Sequence, residues 1–262
     1  MTSWIAAFLL LAAAPVASAS ELTVSAASSL TESFRDIATA YQKAHPGTRI
    51  DLNFAASGVL LQQIARGAPV DVLASADEAT MDQAVKGGHV DPATRRVFAR
   101  NALWVIVPPD TRRPLTSLQS LAQPEVTRVA IGNPDSVPVG RYAHAALQSA
   151  ALWTAVQRKT ITTQNVRQSL DYVARGEVDA GFVYATDAQA MPGRVKRAFQ
   201  VPVSAGITYP LAVASHSGRA SEAQRFVAFV QSAAGQAILR RHGFSAPWSM
   251  DLGWCALRVS LQ

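Results

Sequence analysis

The 262 residues carry 24 Lys and Arg against 18 Asp and Glu, for a formal net charge of +6, with five His and a single Cys. One cysteine excludes a disulfide framework, a CxxC pair and a cysteine-held metal site. The cations are scattered (Arg95-Arg96, Arg112-Arg113, Arg240-Arg241) with no basic run between aromatics, which argues against a nucleic-acid surface, although a basic surface favours encounter with anions.

The chain opens with "MTSWIAAFLLLAAAPVASA". Its apolar stretch, residues 4–14, is too short to span a bilayer, and Pro15 then breaks it. Ala17-Ser18-Ala19 is an A-x-A cleavage signature, so residues 1–19 read as a secretory signal peptide, one without the usual Lys or Arg at its start. No cysteine follows for acylation. A soluble mature protein in the periplasm of a double-membrane bacterium is therefore expected, and the length suffices for one or two domains.

From there strand and helix patterns alternate. A short strand over residues 22–25 runs into "AASSLTESF" from Ala26, where Leu30, Phe34, Ile37 and Tyr41 form a helical stripe. "TRIDLNF" alternates at Ile50, Leu52 and Phe54 as a strand does, and "NFAASGVLLQQI" turns into a second helix that stops at Gly67. "VDVLASAD", "LWVIVP", "RVAIG" and "AGFVYA" read as buried strands of an α/β protein with mostly parallel sheets flanked by helices. "VPPDTRRP" is a surface loop. "RGAPVDVLASAD" (residues 66–77) and "RGEVDAGFVYATD" (residues 175–187) echo one another, as two lobes built on the same strand–helix logic would.

Four helix openings share an approach of small or turn-forming residues. Ser29 heads Ser29-Leu30-Thr31-Glu32, a capping-box pattern; Ser57 lacks the matching Glu. "NPDSVPVGRYAHAALQ" sets Pro138, Val139 and Gly140 at a helix entrance, and "TTQNVRQSLDYVARG" starts a helix near Asn165 that stops at Gly176. A helix N-terminus offers unpaired N–H groups and about half a positive charge. Several around one cleft hold a doubly charged anion without Lys or Arg. Small residues let the amides come close, and a serine that caps still has a proton to donate outward. At Val139 and Val166 only the backbone amide is available for this, the side chains being suited to core packing.

"AASSLTESFRDIA", "FAASGVLLQQIARGAPVDVLASAD", "GNPDSVPVGRYA" and "GFVYATDA", in this order and spacing over nearly the whole mature chain, resemble the periplasmic molybdate-binding proteins of ABC transporters. The resemblance implies a two-lobed type II periplasmic binding protein of the Venus-flytrap kind. Lobe one would take residues 20–101 with 210–249, and lobe two residues 102–209. It also implies the ligand set: hydroxyls of Ser29 and Ser57, backbone amides of Val139 and Val166, and the hydroxyl of Tyr184. Relatives often have Ala where Val139 and Ser28 stand. The implied ligand is molybdate or tungstate, with no cofactor and no metal cation. The implied partners are the membrane permease subunits of the transporter, and the chain is expected to be a monomer.

Such a site is made of donors only. Hydrogen phosphate keeps a proton near neutrality and would meet a donor with a donor, an expensive arrangement when buried. Molybdate and tungstate do not, and sulfate, being smaller, cannot reach every donor of a rigid shell. The alternative is a site for sulfate or another tetrahedral oxyanion. An enzyme is disfavoured: the histidines (His45, His89, His144, His216, His242) fall in no HExxH or nucleophile elbow, and there is no P-loop or GxGxxG. The tail beyond residue 249, "MDLGWCALRVSLQ", departs from the family pattern and resembles the start of a permease subunit. It is expected to play no part in the lobes.

Overall fold

Strand follows helix along almost the whole chain in the structure, a computed structural model that describes residues 20–247 except residue 113. The signal-peptide reading of residues 1–19 and the reading of the tail with Cys255 lie outside the described residues. In chain order the elements are β1 (Ser20–Ala27), α1 (Thr31–Ala44), β2 (Thr48–Ala55), α2 (Ser57–Ala65), β3 (Val72–Ala74), α3 (Glu78–Lys86), β4 (Arg96–Asn101) and β5 (Leu103–Val107). They continue with α4 (Leu118–Ala122), β6 (Val129–Gly132), α5 (Pro138–Ser149), α6 (Trp153–Gln157), β7 (Thr160–Thr163), α7 (Val166–Ala174), β8 (Ala180–Tyr184) and α8 (Ala185–Ala190). The last are β9 (Lys196–Val201), β10 (Ile207–Val213), α9 (Ala220–Gln231) and α10 (Ala233–Arg241).

Two five-stranded sheets result, ordered β2-β1-β3-β10-β4 and β7-β6-β8-β5-β9. In the first, β1 pairs parallel with β2 and β3, and β10 runs antiparallel to β3 and β4. In the second, β6 pairs parallel with β7 and β8, and β5 runs antiparallel to β8 and β9. Each sheet thus has one reversed strand, in the fourth place, and the other strands share a direction. Each sheet with its helices makes one lobe. The chain crosses between them at Ala102, after β4, and over residues 202–206, before β10. Residues 207–209, read from the sequence as the end of lobe two, pair with β4 in the first sheet, because β10 begins at Ile207.

The two halves of the sequence echo contain β3 and β8, which hold the same third place in their sheets. The helical stripe of α1 does what its period predicts: Phe34, Ile37 and Tyr41 are buried, and the Tyr41 ring meets Phe226 of α9 edge-on, with centroids 5.3 Å apart. In β1, Leu22, Val24 and Ala26 turn one fully buried face to this core. No helix among the described residues is long and apolar enough to cross a membrane.

Candidate functional site

The forward-running strands of both sheets deliver their C-terminal ends to one cleft, the place where open α/β sheets hold ligands. A small cavity lies there, lined from both lobes. Its lining comes from residues at or shortly after such strand ends: Ala27, which ends β1, with Ser28 and Ser29 behind it, Ala56 and Ser57 after β2, and Ala76 after β3. The second lobe adds Val137, Pro138 and Val139 after β6, Val166 after β7, and Tyr184 closing β8. All five residues singled out in the sequence meet here, each at most 3% exposed. No charged side chain lines the cavity.

Ser57 is the first residue of α2. Its helix has no side-chain cap; Oγ instead accepts from the Ala76 amide at 3.0 Å, tying the end of β3 to the start of α2. That bond uses an oxygen lone pair and leaves the hydroxyl proton to give away. Ser29 corrects the sequence reading more strongly. It lies in a 3-10 turn, Ser28–Leu30, and α1 starts only at Thr31 with Leu30 in the capping position and no side-chain cap bond. The capping box fails because both of its members have other partners. Ser29 Oγ lies 3.1 Å from the Tyr209 hydroxyl, and Glu32 pairs with Arg167.

Val139 follows Pro138 in the first turn of α5, where a helical amide has no acceptor in its own helix. The close approach of α5 to β6 depends on Gly140, where a Cβ would lie 2.0 Å from the Gly132 carbonyl oxygen. Val166 opens α7 behind Asn165, whose side chain accepts from the Gln168 amide at 3.0 Å, so the earlier amides of that turn stay available. Tyr184 completes the set. Its hydroxyl is buried and hydrogen-bonds no protein atom. Burial first, then the nearby Tyr209, holds its pKa well above the ordinary phenol value, so it keeps its proton.

Charge sits just outside this neutral shell and is paired. Arg141, two residues past Val139, donates from Nε to Asp77 Oδ2 at 2.8 Å and from Nη2 to Thr80 Oγ1 at 2.7 Å. Arg167, one residue past Val166, donates from Nη1 to Glu32 Oε1 at 3.0 Å. Its Nε stands 3.0 Å from Asp187 Oδ1. Both arginines belong to the second lobe, and Asp77, Thr80 and Glu32 to the first, so the cleft is drawn together here. Gly58 adds a backbone link, its amide donating across the cleft to the Ser136 carbonyl at 3.0 Å. Burial pushes the Asp187 carboxyl up to about 6, and the Arg167 guanidinium pulls against it.

Tyr209, Asn101 and these two arginines were not found from the sequence. Tyr209 sits in the apolar alternation of "GITYPLAV" and Asn101 at a strand end, and nothing local marks either. The Asp that ends each half of the echo, Asp77 and Asp187, was the available signal, since each meets one of the arginines. Among the described residues no group of three or more His, Cys, Asp or Glu is placed to hold a metal ion.

The bacterial extracellular solute-binding protein family matches residues 22–245. The molybdate-binding protein ModA of Escherichia coli (strain K12) is 34% identical over 235 residues, which cover 86% of this chain and 89% of that protein. Among solved structures, the periplasmic molybdate-binding protein of Azotobacter vinelandii has a TM-score of 0.76 at 24% identity, over 87% of this chain and 100% of that one. The sulfate-binding protein SubI of Mycobacterium tuberculosis H37Rv has the same TM-score, 0.76, at 18% identity, over 87% of each chain. Proteins named for different anions thus share this fold equally, and backbone likeness does not distinguish between them.

Proposed function

The chain belongs to the bacterial extracellular solute-binding protein family, and from that premise we propose that it binds molybdate, and tungstate with it, in the periplasm for an ABC importer. In this reading it acts as a monomer that hands its anion to the membrane permease subunits. The ligand is held by the hydroxyls of Ser29, Ser57 and Tyr184 and the amides of Val139 and Val166. Lobe one takes residues 20–101 and 207–247, lobe two most of residues 102–206, and ligand binding holds them closed.

One observation carries the reading. Ser29, Ser57, Val139, Val166 and Tyr184, each with a neutral group able to donate, line one small cavity between the lobes, and the Tyr184 hydroxyl has no partner in the protein. The starts of α2, α5 and α7 bring roughly half a positive charge each. Together they offset much of a dianion's charge without offering it a proton acceptor. A proton-free tetrahedral oxyanion satisfies every donor. A protonated one leaves a donor facing a donor, at about 1–3 kcal/mol for the buried group. The 34% identity to a protein named for molybdate supports molybdate over sulfate. Hydrogen bonds to a charged group contribute about 1.5–3 kcal/mol each. Five of them, less dehydration of the anion and ordering of the lobes, are compatible with binding between about micromolar and nanomolar, about −8 to −12 kcal/mol.

Thermal unfolding with molybdate, tungstate, sulfate and phosphate in parallel tests this. Molybdate and tungstate at 100 times the dissociation constant stabilise by about 2.7 kcal/mol. Stabilisation by sulfate alone transfers the site to that anion.

A further inference from the structure

Behind Ser29 runs a chain of hydrogen bonds whose direction is fixed at its far end. Asn101 closes β4, at the point where the chain leaves the first lobe. Its Oδ1 accepts from the Ala102 amide at 2.9 Å. A backbone N–H only donates, so the carboxamide is locked with Nδ2 on the other side. Nδ2 donates to Thr186 Oγ1 at 2.9 Å, on α8 of the second lobe, and to the Tyr209 hydroxyl oxygen at 3.3 Å. Tyr209 is fully buried. Burial first, and the Asp187 carboxylate next, keep its phenol protonated. Among the described residues its hydroxyl hydrogen-bonds Asn101 Nδ2 and Ser29 Oγ, and an amide nitrogen cannot accept, so Ser29 Oγ, at 3.1 Å, is the acceptor open to the Tyr209 proton. Receiving from Tyr209 through one lone pair, Ser29 keeps its own proton free for the cavity it lines.

We propose that Tyr209 and Asn101 are specificity-determining positioning residues: by occupying an acceptor lone pair of Ser29 they orient its hydroxyl to face the anion as a donor, and so disfavour anions that carry a proton. The inference rests on the reading of the cavity as an oxyanion site. Without this chain Ser29 would be a free rotor, able to accept from hydrogen phosphate as readily as it donates to molybdate. With it, one acceptor lone pair of Ser29 is already occupied and its proton is free for the ligand, so a ligand O–H meets a less favourable partner. Because Asn101 Nδ2 also holds Thr186, two residues from Tyr184, the second lobe must be docked for the carboxamide to make both of its bonds. The donor direction of Ser29 is thereby set in the closed form of the protein.

The test is a double-mutant cycle on the full-length mature protein, with Kd measured by calorimetry for molybdate and for hydrogen phosphate at pH 7.5. Tyr209→Phe keeps the ring among Tyr184, Phe98 and Phe244 and removes only the proton donor. It is expected to weaken molybdate by about threefold to tenfold and to shrink the molybdate-to-phosphate preference by about tenfold. In a Ser29→Ala background the same change is expected to move neither quantity, because its target is gone. Asn101→Ala, which leaves the Tyr209 hydroxyl in place but frees its direction, gives the same loss of preference on a smaller scale. An unchanged preference in Tyr209→Phe, or an equal loss with and without Ser29, overturns the proposal and assigns Tyr209 to packing. A parent protein that does not bind molybdate overturns the reading of the site itself, and the proposal with it.

Discussion

The Arg141 guanidinium in the second lobe and the Asp77 carboxylate in the first meet across the cleft, Nε to Oδ2 at 2.8 Å, directly beside the cavity. Asp77 is almost fully buried and also caps α3 through the Thr80 amide at 3.2 Å. The pair therefore exists only while the lobes are together. Breaking a buried pair by removing one charge costs about 3–5 kcal/mol, but here an open cleft returns Arg141 to water and avoids that cost. Asp77→Asn keeps an oxygen for the cap and removes the charge. It is expected to leave the melting temperature without ligand nearly unchanged and to weaken molybdate by roughly tenfold or more, through a faster off-rate, as a smaller fraction of the protein is closed. Stopped-flow dissociation measures it. An unaltered off-rate would show that the pair does not contribute to closure.

Ser57→Ala removes a donor from the cavity and an acceptor from the Ala76 amide, so both affinity and stability are expected to fall, affinity by at least tenfold. Tyr184→Phe removes a hydroxyl with no protein partner. Its expected signature is different: affinity falls while unliganded stability holds or rises slightly, since a buried unsatisfied group has gone. Calorimetry and melting curves on the two variants separate these outcomes. Equal behaviour in both would refute the distinction.

Gly58 is the second residue of α2, and a Cβ there would sit 2.7 Å from the Ser136 carbonyl oxygen across the cleft. Within the helix alone, Gly→Ala is favourable by about 1 kcal/mol. Gly58→Ala is thus expected to raise, or leave unchanged, the unliganded melting temperature while weakening molybdate by an order of magnitude, because the lobes can no longer close fully. Small-angle scattering with saturating molybdate should show a larger radius of gyration than the parent. A variant as compact and as tight-binding as the parent contradicts this geometry.

Asp187 titrates near 6 when folded, above its ordinary value of 3.8. The folded state therefore holds the proton more tightly than the unfolded state. The stability this group contributes is fully present below about pH 4 and is lost as pH rises through about 6. Urea unfolding of Asp187→Asn between pH 4 and 7 should lack this downward slope relative to the parent. Parallel profiles for the two proteins would show that Asp187 does not titrate in this range.

Local patterns were legible in the sequence and long-range partnerships were not. The apolar periods placed α1, β2 and α2. The small residues before Ser29 and Ser57, and the turns before Val139 and Val166, marked helix starts because backbone crowding and capping are decided within a few residues. The capping box at Ser29 was the instructive miss: Ser29 and Glu32 have the right spacing, but Tyr209, 180 positions away, engages the hydroxyl, and Arg167, 135 positions away, engages the carboxylate. A local bond was displaced by partners that only the folded chain brings near, Tyr209 within the first lobe and Arg167 across the cleft. The start of β10 at Ile207 was hidden for a similar reason, since its pairing with β4 and β3 depends on the chain returning to the first sheet.

The most direct test of the central claim is a calorimetric titration of molybdate into the protein, repeated in the presence of a thousandfold excess of sulfate and then of phosphate at pH 7.5. The account predicts one site per chain with a dissociation constant between about micromolar and nanomolar, little affected by either competitor and lost together in Ser29→Ala with Ser57→Ala. Absence of molybdate heat, or full displacement by phosphate, would contradict a site built only of donors.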